Sequence, residues 1–443
     1  LEEQTLLRGD IRKQLIRLAV PLLLGNILQQ LYNTADALII GRFLGTDAFA
    51  AVGIGGTVMN LFIFILNGFC FGLTVLFSQF HGAGDRDSFR KEFFVSFGLG
   101  GALTAILSGV SLLLLHHILR WMQTPGELMA SVTAYLQVIL AGLIATYGYN
   151  LFSSVLRALG DTRASLYFLL LSVVLNVALD YLWVAVLPLG VAGAAWATVA
   201  AQALSALCCF FYLRGKYRAL ICTRADVGFH QALISRTLGY GLTSALQQSS
   251  LYIGKLLVQG TVNTLGSAGI AAFTAATRIE GLANSFGDSG AHALSVFVSQ
   301  NRGAGQGDRV KEGLRHGMAI HLVLGVALSA LMFATSAVCI AFFLDTEDPH
   351  ALAAGNDYLR LVSVFYLLCF IGSAFVGYFR GMGRFSVPVV GTTLHITIRV
   401  ILSSLLVPPF GLPAVAAATG VGWTCVVVYQ FFTYKRQKKS PTS

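Results

Sequence analysis

The run LFIFILNGFCFGLTVLFSQFHGAGD (residues 61–85) decides the class of this chain. Its first 20 residues contain no Asp, Glu, Lys or Arg. About 20 apolar residues, each rising ~1.5 Å in a helix, cross a ~30 Å hydrocarbon layer. The run then breaks at Gly82-Ala83-Gly84-Asp85. A related ending returns in AHALSVFVSQNRGAG (residues 291–305), where Ser299-Gln300 and Gly303-Ala304-Gly305 repeat Ser78-Gln79 and Gly82-Ala83-Gly84 at an offset of 221.

Working outward, apolar stretches of membrane-crossing length recur about 12 times, at roughly 13–41, 47–80, 88–117, 128–158, 163–187, 191–213, 233–262, 268–300, 310–344, 350–380, 384–407 and 412–434. The chain of 443 residues is 56% hydrophobic and 11% charged. Soluble domains carry about a quarter charged residues, so composition excludes that class. The repeat is equally pervasive. Leu44-Gly45-Thr46 returns as Leu265-Gly266-Ser267 and Pro188-Leu189-Gly190 as Pro409-Phe410-Gly411, both at 221; Leu156-Arg157-Ala158-Leu159-Gly160 returns as Phe379-Arg380-Gly381-Met382-Gly383 at 223. The expectation is an all-α integral membrane protein of 12 transmembrane helices. Residues 1–222 and 223–443 would form two six-helix bundles, related by a pseudo-two-fold axis along the membrane normal, with a cavity where they meet.

The formal net charge of +10 orients the chain and requires no nucleic-acid partner. Threading the spans alternately gathers most Lys and Arg on one side: Arg8, Arg12, Lys13 and Arg17 before span 1, Arg214, Lys216, Arg218, Arg224 and Arg236 around the central loop, and Lys435, Arg436, Lys438 and Lys439 in the tail. The opposite side receives Arg42, Arg120 and Arg360. By the positive-inside rule both termini are expected in the cytoplasm, with the protein in the inner (plasma) membrane.

An ionisable side chain inside a span is costly and marks a functional candidate. Asp36 in span 1 and Asp180 in span 5 stand out as the carboxylates of the first half, both in the outer part of their spans. Asn176 lies one turn from Asp180 on the same face. Thr198 in span 6 and Tyr135 in span 4 each sit about 10 Å in from the outer start of their helices. Carboxylate, amide and hydroxyl oxygens at one depth suit a proton or a small hard cation. In the second half, at an offset of 219, His395 stands for Asn176 and Arg399 for Asp180. A permanent guanidinium there would repel a bound cation, which confines the ion site to the first bundle. Glu280, Asp288 and Arg399, with Asn33 and Gln248, are candidates to line the substrate cavity, and Pro21 inside span 1 is a candidate hinge.

These features resemble the multidrug and toxic compound extrusion (MATE) family over essentially the whole chain. The resemblance rests on Pro21 with Tyr32-Asn33-Thr34-Ala35-Asp36, the Gln-x-x-Gly-Ala-Gly loops, the Arg157-Ala158-Leu159-Gly160-Asp161 loop, Asn176 with Asp180, and Gly190-Val191-Ala192-Gly193-Ala194-Ala195-Trp196-Ala197-Thr198. With His395 and Arg399 standing for Asn176 and Asp180, the second half is a poorer match to branches that keep a sodium site there, and the chain looks closer to the DinF-like branch of prokaryotic members. The resemblance implies a secondary antiporter, sufficient as a monomer, that exports organic cations and amphipathic drugs in exchange for protons or sodium ions by alternating access. It implies a coupling-ion site, for H+ or Na+, at Asp36, Asn176, Asp180 and Thr198, with Tyr135 as neighbour and no resident cofactor. A lipid-linked oligosaccharide flippase of the same superfamily is the alternative, since Lys255, Arg278 and Arg399 could hold a pyrophosphate. An enzyme is not expected: the sequence lacks H-E-x-x-H, G-x-S-x-G and clustered metal ligands.

Overall fold

The structure, a computed structural model, describes residues 6–344 and 348–439. Within them every regular element is helical. In hydrocarbon each backbone N–H and C=O must find its partner inside the protein, and a helix supplies one within its own segment. The elements are α1 (Ile11–Leu44), α2 (Thr46–Gly82), α3 (Arg86–Val95), α4 (Gly101–Trp121), α5 (Gly126–Ala141), α6 (Leu143–Ala158), α7 (Thr162–Asp180), α8 (Gly190–Lys216), α9 (Gln231–Val262), α10 (Gly266–Gly303), α11 (Gly307–Phe343), α12 (Pro349–Gly381), α13 (Ser386–Phe410) and α14 (Pro413–Lys439). A π-helical turn, Ser96–Gly100, carries α3 into α4, and α5 bends by 45° onto α6 at Gly142. Each of these pairs makes one crossing. The uninterrupted apolar stretch Gln231–Gly303 contains two, α9 and α10, which turn at Gly266. The result is the expected twelve spans in two bundles. Large side chains such as Leu113 (82% exposed) and Phe342 (81% exposed) point outward, a surface suited to lipid and prohibitive in water.

The repeated glycine loops share one turn. At the end of α2, Gly84 N–H donates to His81 O and Asp85 N–H to Phe80 O. The same pair of bonds recurs at Gly160 and Asp161 after α6, at Gly305 and Gln306 after α10, and at Gly383 and Arg384 after α12. This is the Schellman cap, which satisfies carbonyls left open at a helix end and needs a left-handed residue. The four glycines take φ of 69°, 81°, 72° and 67°. Asp85 and Asp161 then start the next helix by accepting from Ser88 N–H and Ala164 N–H.

Two compact units emerge. The first contains Leu24–Ala245; the second contains Leu6–Leu23 and the chain from Leu246 onward. Thus α1 changes unit just after Pro21, and α9 changes unit after Ala245. In the first unit, α2 meets the early part of α9 backbone to backbone. A Cβ on Gly68 would stand 2.7 Å from Ala245 Cα, and one on Gly72 2.4 Å from the Tyr240 carbonyl oxygen. Small residues four apart permit this approach where lipid supplies no hydrophobic drive. Phe62, Phe69, Leu73, Phe77, Phe93 and Phe152 belong to the core of this unit; Tyr358, Tyr366 and Phe370 belong to that of the second.

Candidate functional site

Within the first unit, α1, α5, α7 and α8 bring one residue set together. Helical stacking at i and i+4 puts Tyr32 with Asp36 on α1, Ser172 with Asn176 and Asp180 on α7, and Thr198 with Gln202 on α8. Thr198 is the hub. Its hydroxyl donates to Ala194 O at 3.2 Å, one turn back, as a threonine inside a helix commonly does. Its lone pairs then face the Asn176 amide nitrogen at 3.3 Å and the Tyr32 hydroxyl at 3.4 Å. The bond from Asn176 Nδ2 leaves its own Oδ1 buried without a donor, and the same holds for both Asp180 oxygens and Asp36 Oδ1 among the described residues. Asp180 has no exposed surface and Asn176 is 2% exposed. Asp36 and Asp180 lie within electrostatic reach of each other. Buried oxygens are ordinarily satisfied, so four orphaned acceptors converging from two helices ask for a donor or a cation from outside the chain.

Asp180 ends the regular part of α7; a π-helical stretch, Tyr181–Val186, follows it directly. Such insertions cluster at functional sites because they rotate the downstream face without breaking the helix. Tyr135 enters through charge and packing. Its ring rests where a Cβ on Gly55 would come within 2.7 Å, its hydroxyl points to Met59 Sδ at 3.6 Å, and Asp36, Tyr32 and Asp180 are in electrostatic reach. Below the carboxylates, Gln29, Tyr32, Tyr149, Ser172, Asn176, Thr198 and Gln202 border a cleft of about 30 Å³. All donors here are oxygens or amides, a set for a hard cation or a proton and not for a soft metal. No group of three or more His, Cys, Asp or Glu with metal-binding proximity occurs among the described residues.

The other expected residues fall elsewhere. The Asn33 side chain lies outside the described residues. Gln248, Glu280, Asp288 and Arg399 belong to the second unit. Glu280 is 7% exposed and accepts from Tyr358 at 2.7 Å and Tyr366 at 3.4 Å. Asp288 is exposed, with Arg380 and Lys255 in electrostatic reach, and Gln248 is half-buried. Sequence reading also missed a carboxylate of the first unit. Glu92, in α3, has no exposed surface and accepts from Ser96 Oγ and Thr237 Oγ1, both at 2.8 Å. Its place near the loop end of the span hid it. Gln29, Ser172 and Gln202 were missed too, though each sits three or four residues from a named residue on the same helix.

The family model described as MatE matches residues 21–182 and again residues 243–405, most of the chain in two copies. The chain belongs to the MATE family of multidrug efflux transporters. It is 29% identical over 378 residues to the probable multidrug resistance protein YpnP of Bacillus subtilis (strain 168), covering 83% of this chain and 82% of that protein. It is 27% identical over 432 residues to the probable multidrug resistance protein NorM of Thermotoga maritima, covering 93% and 89%. Its fold is similar to that of a multidrug resistance MATE family transporter of the MOP superfamily in an outward-facing conformation, with TM-score 0.91, 24% identity and 99% and 98% of the two chains covered. A MOP superfamily transporter from Pyrococcus furiosus, described as having a binding pocket of reverse polarity, also gives TM-score 0.91 at 24% identity, covering 99% of each chain.

The two MatE copies also fix the internal register. In this transporter α7 and α13 both leave a Schellman turn, at Gly160 and Gly383, and run as unbroken α-helix through the residues compared. The offset there is therefore 223, the same as between the matched ends at 182 and 405. Arg399 corresponds to Asn176, His395 to Ser172 and Ser403 to Asp180. The offset of 219 was one helical turn short: it kept the face and missed the depth. The π-helical stretch Tyr181–Val186 that follows Asp180 has no counterpart in α13 among the described residues.

Proposed function

We propose that this MATE transporter is a secondary antiporter in which a proton or a sodium ion at the Asp36–Asp180 site is exchanged for an organic cation or amphipathic drug. The cluster of buried acceptor oxygens without donors carries this reading. A protonated carboxyl would donate to its neighbour; a sodium ion would accept lone pairs from Asp36, Asp180, Asn176 and Thr198 in place of its water shell. In either case the occupant removes the cost of holding two carboxylates together away from solvent.

Coupling follows from which helices own the oxygens. Asp36 lies on α1, which leaves the first unit close to Pro21, where a backbone hydrogen bond is missing from the helix. Filling or emptying the site changes how strongly the outer part of α1 is held to α7 and α8. Pro21 is the point at which the helix yields. Alternating access is the rearrangement this permits, with both termini in the cytoplasm.

The test is uptake of a fluorescent organic cation into proteoliposomes under proton and sodium gradients imposed separately, with Asp36→Asn beside the parent. Gradient-driven movement in the parent, reduced at least about tenfold in the variant, is expected; tenfold corresponds to about 1.4 kcal/mol of lost coupling. Movement that survives the substitution would remove Asp36 from the ion site. Failure to move the cation under both gradients would instead favour the flippase alternative.

A further inference from the structure

The second unit keeps the frame of the ion site with its charges rearranged. Thr419 on α14 donates to Val415 O at 2.7 Å, as Thr198 on α8 donates to Ala194 O. Tyr358 on α12 gives its hydroxyl to residue 280 of α10, as Tyr135 on α5 gives its own to Met59 of α2. These pairs stand at the repeat offsets of 221 and 223 found along the chain. Inside the conserved frame the occupants differ. Glu280 replaces Met59, Arg399 replaces Asn176, and Ser403 replaces Asp180. His395 and Trp423 replace Ser172 and Gln202, and their rings stack at 5.9 Å and 7°, so aromatic surface stands where the first unit has its polar cleft.

The rearrangement has an electrostatic logic. Glu280 is buried, held by the Tyr358 and Tyr366 hydroxyls, and has Arg399 and Lys255 as the cations within reach. Arg399 Nε is itself buried without a hydrogen-bond partner among the described residues. A carboxylate alone at this depth would be costly, and so would a guanidinium; together they offset one another. A guanidinium is also tied covalently to its helix and cannot leave the protein.

We propose that Arg399 is a tethered resident cation: its guanidinium takes the place that the first unit reserves for an exchangeable ion, with Glu280 as its counter-charge. The second unit is then a cation site filled permanently by its own chain, blind to the proton or sodium gradient. The transporter couples through one ion site per molecule. This consequence rests on the ion-site reading of the first unit; the tethered pair itself does not.

The experiment is thermal unfolding of the full-length protein in detergent. Arg399→Ala should lower Tm by roughly 5 °C or more, because it strands Glu280. Methylguanidinium at millimolar concentration should restore most of that loss saturably, leave the parent unchanged, and outperform sodium chloride at equal ionic strength. Glu280→Gln should also destabilise, and the double variant should lose less than the two single losses combined. Should Arg399→Ala fail to fold, recovery of folded protein in the double variant is expected in its place. Additive losses, or a folded Arg399→Ala variant that methylguanidinium does not stabilise, would overturn the proposal. An Asp36→Asn variant that retains coupling would sink the ion-site reading while leaving the rescue result intact, so the two failures are distinguishable.

Discussion

Thr198 shows what a single uncharged residue does in a membrane site. By donating to Ala194 O it presents lone pairs to Tyr32 and Asn176, and so fixes the turn of the Asn176 amide. Thr198→Val keeps the shape but leaves two donors without an acceptor, at a cost of about 1–3 kcal/mol. We expect the apparent affinity for the coupling ion to fall roughly five- to tenfold while drug binding without a gradient is unchanged. Isothermal titration of the ion and the drug separately checks this; equal losses for both would mean general damage. Asp36 and Asp180 were legible in the sequence because charge inside an apolar run is conspicuous. Gln29, Ser172 and Gln202 were not, because neutral polar residues are common in spans and only their neighbours give them meaning.

At the scale of elements, the helix ends were the most readable part. Gly84, Gly160, Gly305 and Gly383 each fall at a Schellman cap, where geometry demands a left-handed residue. The loop after α6 adds a polar cluster: Asp161 accepts from Lys216 Nζ at 2.8 Å, Tyr217 at 2.9 Å and Tyr212 at 3.0 Å. Burial works against this carboxylate, yet the bonds and charge of Lys216 and the tyrosine hydroxyls more than offset it and hold Asp161 below its usual range. A carboxylate lowered in the folded state stabilises above its unfolded pKa and loses that contribution as pH falls through the folded value. Asp161→Asn should therefore lower Tm by about 2–4 °C at pH 7, and the gap should close below about pH 4. A gap independent of pH would show that charge is not the cause. For α1, Pro21→Ala restores a helix hydrogen bond. Transport turnover should fall severalfold with ion affinity retained, as read from initial rates against ion concentration; unchanged turnover would remove Pro21 as a hinge.

For the whole molecule, charge asymmetry makes the firmest expectation. Lys and Arg gather in the loops after even-numbered spans and at both ends, a pattern from which the positive-inside rule predicts cytoplasmic termini. A C-terminal green fluorescent protein fusion should fluoresce and the matching alkaline phosphatase fusion should be inactive in cells. The opposite pair of results would invert the orientation of every span and put the Asp36 site nearer the cytoplasmic face.

Counting apolar residues was enough to establish twelve spans and the class of protein, because a ~30 Å hydrocarbon layer imposes its demand along one dimension, and the repeated loop motifs established two copies. The same holds for the glycine turns, whose requirement is local to one residue. Which oxygens meet was a different matter. It depends on the rotation of each helix, so a π-helical insertion after Asp180 or a one-turn change of register moves partners without altering composition. Folding decided that Thr198 joins Tyr32 to Asn176, that Glu92 is bound by Thr237, and that Glu280 rests on Tyr358 and Tyr366. It also decided that α1 and α9 divide between units. Hydrogen bonds are short and directional, and a sequence read by depth alone does not carry direction.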